Sequence, residues 1–223
     1  MYYQLAAITL LVGALGVDGA PPRLVPRQNS NASGCLYGSD FPAESEWLPF
    51  ETLFDNWTPT FTAQGDTAGE VATMKKALQL YAGEGNFNPT FATAIIIQET
   101  FGNTARACGD GGASCGVMQV KGGPSSCVGQ AHPCPDDTIS NMIQCGTVGC
   151  AGATGTNIKA CRQSSWGATA RCYNTGSVPD PSNLWSAPWG TPAYVNIIGN
   201  ILTGGVASTT ARDQLMADCT PRS

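Results

Sequence analysis

The chain has 223 residues, 42% hydrophobic and 12% charged, which is enough for one core of ordinary domain size. Its formal charge of −5 comes without any cluster of Lys and Arg, which excludes nucleic acid and anionic membranes as partners. Beyond the N-terminus, no stretch stays apolar for the roughly 20 residues that a membrane-spanning helix needs.

Met1 to Gly19 carries an apolar run from Leu5 to Val17 followed by small residues, the layout of a secretory signal peptide cleaved after Gly19. Its loss removes Asp18 and leaves a charge of −4. Residues 20–34 then read as a flexible tail, and 35–223 as one folded domain. Asn31-Ala32-Ser33 and Asn56-Trp57-Thr58 are glycosylation sequons, which belong at the surface of an exported protein.

Ten cysteines in an exported chain imply five disulfides. Zinc is the rival, but there is no CxxC pair and His132 is the only histidine. Pairing is not deducible from sequence, although Cys108 with Cys115 and Cys127 with Cys134 make attractive local loops.

In chain order, Phe41 to Trp57 places Trp47, Phe50, Leu53, Phe54 and Trp57 at spacings of three and four, which predicts an amphipathic helix with Pro49 near its start. A second helix opens on a capping box, Thr67 with Glu70. It repeats Val71, Met74, Leu78 and Tyr81 and stops at Gly83 and Gly85. The third starts at Asn88-Pro89, runs to Glu99 and halts near Gly102. It is apolar on nearly every face, so it is the expected buried central helix. Gly102 to Pro135 reads as a long cross-linked loop region. Helical spacing returns at Thr138 to Gln144, Asn157 to Tyr173 and Pro192 to Leu202. No paired runs of alternating β-branched residues appear, so the fold class is mainly α.

Glu99 is out of place in this pattern. Burial disfavours its anion, and the negative end of the helix dipole disfavours it again. A glycosidase acid belongs in such surroundings, because it must keep its proton near neutral pH until the leaving oxygen takes it. The structural alternative is a salt bridge to Arg106 or Arg171.

Three motifs in order surround that glutamate: Gln98-Glu99-Thr100, Gly116-Val117-Met118-Gln119-Val120 and Cys172-Tyr173-Asn174-Thr175-Gly176. They resemble the ES, GLMQ and AYNAG motifs of soluble lytic transglycosylases and goose-type lysozymes, glycoside hydrolase family 23. Asn141-Met142-Ile143 with Gly146 is similar to the NI-x-x-G stretch of that family, and Tyr194-Val195 to its closing YV element. The resemblance covers residues 88–202. It implies a lysozyme-like fold in which Glu99 is the catalytic acid/base, with Met118, Gln119, Tyr173, Asn174 and Tyr194 along the sugar groove. Asp110 resembles the upstream aspartate of the goose-type loop, and beside glycine it is equally a turn residue. Bland readings also exist for Met118 as core filler and Asn174 as a turn residue. This chain departs from the family pattern at Thr100, at Cys172, where a disulfide is expected to anchor the groove, and at Lys121, where goose-type sequences carry aspartate.

Gly112-Ala113-Ser114-Cys115-Gly116 formally matches a serine hydrolase elbow. Its context is wrong, because no strand is predicted before Ser114, and His132 precedes Asp136 in reverse of that fold's order. The sequence therefore predicts a secreted monomer, free of cofactor and metal. The resemblance to family 23 implies cleavage of β-1,4 linkages after N-acetylmuramic acid in peptidoglycan. Chitin is the second substrate, and a glycan-binding protein without turnover is the non-enzymatic alternative.

Overall fold

The computed structural model describes residues 34–36 and 40–219. The expected signal peptide, most of the tail and the Asn31 sequon lie outside the described residues. Within them the fold is mainly helical: α1 (Phe50–Ala63), α2 (Ala68–Gly85), α3 (Pro89–Thr100), α4 (Asp136–Thr147), α5 (Trp166–Thr175), α6 (Tyr194–Leu202) and α7 (Thr209–Asp218). The only strands among these residues are the antiparallel pair β1 (Ser114–Cys115) and β2 (Val120–Lys121). No described helix is long and apolar enough to cross a membrane.

The central helix is α3. Asn88 caps it by accepting the Thr90 amide at 3.0 Å, and Pro89 occupies the first turn, where a missing N–H costs nothing. Ile95, Ile96 and Ile97 are each fully buried, although they point to three different faces. Each contributes roughly 1.5–3 kcal/mol of burial, so α3 requires neighbours all round. These are α1, α2 and α6. Of these, α1 supplies Leu53, Phe54, Trp57 and Phe61, and α6 supplies Ile197, Ile198 and Ile201. The expected capping box of α2 is present: Glu70 N donates to Thr67 Oγ1 at 3.3 Å, and Thr67 N donates to Glu70 Oε2 at 2.6 Å.

Several expected boundaries move. Pro49 caps α1 instead of lying within it, and a 3-10 turn at Glu44–Glu46 precedes it, so no α-helix starts at Phe41. Gly83 lies inside α2, which ends at Asn86 in the left-handed region. The helical spacing from Asn157 is realised only from Trp166, where Ser165 provides the cap. The loop before it is tied down by the Cys161–Cys172 bridge. Nothing in the sequence pattern announced α7, because none of its residues is fully buried.

All ten cysteines pair: Cys35–Cys219, Cys108–Cys115, Cys127–Cys134, Cys145–Cys150 and Cys161–Cys172. This rules out cysteine-bound zinc, and both expected local loops are closed. Asn56 is exposed on α1, where a glycan has room.

Candidate active site

Glu99 stands one residue from the end of α3, half-buried at the wall of a groove of about 730 Å³. Thr100 fastens this helix end to the hairpin loop. Its hydroxyl donates to Val117 O at 2.8 Å, which sets Glu99 beside the second motif. Burial pushes the Glu99 carboxyl up to about 7. The hydroxyl of Tyr194, donating to Glu99 Oε1 at 2.7 Å, opposes that rise. The negative charge of Asp110 adds to it, and Arg212 on α7 works against it. No ion pair forms at Glu99 among the described residues. Arg171 is fully buried and gives its guanidinium to the carbonyls of Leu184, Thr191 and Pro192 and to Asn174 Oδ1.

The groove is also lined by Asp110, Gln119, Tyr173 and Asn174, so five of the seven expected site residues come together. Two do not line it. Met118 is fully buried and packs on Gly146, where an added Cβ would stand 2.6 Å from its sulfur, so it is core and not sugar-binding surface. Tyr194 is also buried, and its polar tip is spent on Glu99, so it positions the acid and does not touch the groove.

The remaining residues hold one another in place. Asp110 is exposed with φ 52°, a left-handed conformation that aspartate tolerates, and it accepts the Ser114 hydroxyl at 2.6 Å. Gln119 pins that loop by accepting from Gly109 N at 2.8 Å while donating to Gly116 O at 2.9 Å. Its amide is therefore partly committed to the fold. The Tyr173 hydroxyl donates to Met118 O at 2.8 Å. Asn174 Oδ1 accepts from Arg171 and from Thr191 N at 2.9 Å, which leaves its NH2 for a ligand. The Cys161–Cys172 bridge anchors the strip of α5 that carries both residues.

The sequence reading missed several lining residues: Thr154, Thr156, Trp189 and Thr191. They come from loops, where only tertiary contacts reveal who faces the groove. Lys121 is the one basic residue of the lining, and its ammonium pairs with no carboxylate among the described residues.

No serine triad is assembled, because Ser114 bonds Asp110 and His132 bonds Glu70. His132, Asp66 and Glu70 form the one metal-like cluster among the described residues, with donor atoms within 4.8 Å of one another. Protein donors occupy part of it, while Asp66 Oδ2 is buried with no hydrogen-bond partner among the described residues. Glu70 Oε1 accepts from His132 Nδ1 at 2.8 Å and Cys134 N at 2.7 Å, and Asp66 Oδ1 accepts from Thr104 Oγ1 at 2.6 Å. Burial pushes the Glu70 carboxyl up, but the amides of Thr67 and Cys134, together with His132, overcome it and hold the group down to about 2. The cluster fastens the Cys127–Cys134 loop to the start of α2.

Removing the Tyr194 hydroxyl takes away a bond that favours the Glu99 anion. Tyr194→Phe is therefore expected to raise the titration midpoint of the Glu99 carboxyl by about one pH unit. An NMR titration of the variant checks this; an unmoved midpoint would separate Tyr194 from that carboxyl.

Against known proteins, no family model, no curated protein and no solved structure matches this chain.

Proposed function

We propose that the protein is a secreted muramidase of the lysozyme-like class, cleaving β-1,4 linkages after N-acetylmuramic acid in bacterial peptidoglycan. One observation carries this reading: a half-buried carboxyl, pushed up to about 7, opens on a polar groove large enough for a glycan. Such a group keeps its proton in about half of the molecules at neutral pH, and in more of them below it, and can deliver it to a glycosidic oxygen. The three motifs that resemble family 23 enzymes contribute Glu99, Gln119, Tyr173 and Asn174 to the same groove. Lys121 favours peptidoglycan over chitin, because peptidoglycan carries carboxylates that an unpaired ammonium attracts and chitin carries none. Loss of turbidity in bacterial cell walls, faster than release of sugar from chitin oligomers, is the expected result. Faster turnover of chitin would reverse the order of substrates, and no release from either would sink the enzyme reading.

Asp110 decides the stereochemical course. Inversion by hydrolysis needs a second carboxylate to hold a water on the far side of the ring. Asp110 is the only carboxylate besides Glu99 in the lining, and Ser114 orients it. The favoured outcome is hydrolysis, giving products with reducing ends. Asp110→Asn is then expected to slow hydrolysis by about 10²-fold. Mass spectrometry of released muropeptides checks both points. Products lighter by one water would mean that the sugar's own 6-hydroxyl closes an anhydro ring, and an unchanged rate in Asp110→Asn would remove it from the mechanism. Ser114→Ala should cost only a modest factor, since the serine orients Asp110 and attacks nothing.

A further inference from the structure

Trp189 is 86% exposed, far more than any other large apolar side chain among the described residues. Its indole has no aromatic or hydrogen-bonding partner there, yet it lies in the lining of the groove that holds Glu99. An exposed tryptophan has little to hold it unless its backbone is fixed, and here the backbone is fixed on both sides. Arg171 Nε donates to Leu184 O at 2.8 Å, and its terminal nitrogens donate to Thr191 O at 3.1 Å and Pro192 O at 2.8 Å. Thr191 N donates to Asn174 Oδ1 at 2.9 Å. Gly190 lies against Asn174 and Thr175 so closely that a Cβ there would collide with the Asn174 side chain. A buried arginine is thus spent on holding the loop from residue 184 to 192 to the end of α5, and that loop presents one bare indole.

We propose that Trp189 is the platform of a sugar subsite, stacking on the apolar C–H face of an N-acetylhexosamine ring of the glycan. A flat aromatic face fits a pyranose, whose C–H bonds collect on one side while its hydroxyls point outward. The polar lining around it, Asn174, Thr175 and Thr191, is suited to those hydroxyls and to an acetamido group. The fixed backbone lowers the ordering cost of the contact. A ring stacked on Trp189 adds grip on the glycan in the groove. The proposal rests on the glycan-cleaving reading of the same groove.

The test measures binding of N-acetylglucosamine hexamer by the full chain carrying Glu99→Gln, with Trp189 intact or replaced by Ala or Phe. Calorimetry gives affinity, and fluorescence reports the indole as it leaves water. Trp189→Ala is expected to weaken binding about tenfold, and Trp189→Phe to retain most of it. Equal affinity in Trp189→Ala overturns the subsite, as does dimerisation that the same substitution abolishes, since the indole would then serve a second copy. Wild-type protein that cleaves glycans with no dependence on Trp189 sinks the subsite alone. Trp189-dependent binding without cleavage by the wild type sinks the enzyme reading alone.

Discussion

Glu99→Gln is expected to lower the rate of glycan cleavage by about 10²–10⁴, the range that a positioned general acid contributes. Glutamine keeps the shape and can still accept the Tyr194 hydroxyl, so the groove stays intact while the proton donor is gone. The wild-type pH profile follows from the same group. In the proposed role Glu99 works protonated, so activity is expected to hold below about pH 7 and to fall about tenfold per unit above it. Stability has its own sign. The folded pKa, about 7, lies above the ordinary 4.5, so the group's contribution is fully present below 4.5 and is lost as pH rises through 7. Glu99→Gln is free of that loss. Its stability should match the wild type at pH 4 and exceed it at pH 8, by a margin on the order of a few kcal/mol. Thermal unfolding at the two pH values checks this; full activity in the variant would remove Glu99 from catalysis.

Much of the architecture was legible from periodicity and punctuation. The apolar run of α3, bounded by Asn88-Pro89 and Gly102, has only one comfortable place, at the centre of the molecule. The Thr67–Glu70 box announced α2 for the same physical reason that the structure shows: two orphan amides at a helix start need acceptors. Propensity misled where tertiary demands took over. Asn157 to Ser165 has helical spacing, but that stretch is committed to bridging Cys161 with Cys172 and does not close a helix. α7 has no fully buried residue, hence no stripe to read.

The site divided along a different line. Glu99 could be found because an acid at the end of an apolar helix violates the local pattern, and such violations are informative. Direction could not be found. Met118 and Gln119 are adjacent, and the turn between them sends one to the core and the other to the groove, with Gln119 itself at φ 48°. Tyr194 begins an apolar helix, and only the packing of α6 against α3 shows that its hydroxyl ends on Glu99. Trp189 gave no signal at all. Its placement depends on Arg171, 18 residues earlier in the chain, which looked from the sequence like a salt-bridge partner for Glu99.

The bridge between Cys35 and Cys219 closes 184 residues, far more than the other four, which close 5 to 11. A cross-link removes entropy from the unfolded chain in proportion to the logarithm of the loop it closes. For a loop of this size the chain-entropy account gives about 5 kcal/mol, against roughly 3 for a loop of 15 residues. Both ends are also well seated, with Cys35 and Cys219 at 3% exposure. Leu36 N donates to Asn196 Oδ1 at 2.7 Å and so ties the adjoining segment to α6. Replacing both cysteines by serine is therefore expected to lower the unfolding temperature by about 10–20 °C, given 2–4 °C per kcal/mol at this chain length. The groove should survive in the variant at low temperature, because its own anchors, Cys108–Cys115 and Cys161–Cys172, are untouched. Calorimetry beside an activity assay at 20 °C separates the two effects. A loss of only a few degrees would show that the unfolded chain stays compact enough without this bridge for the loop-closure account to fail.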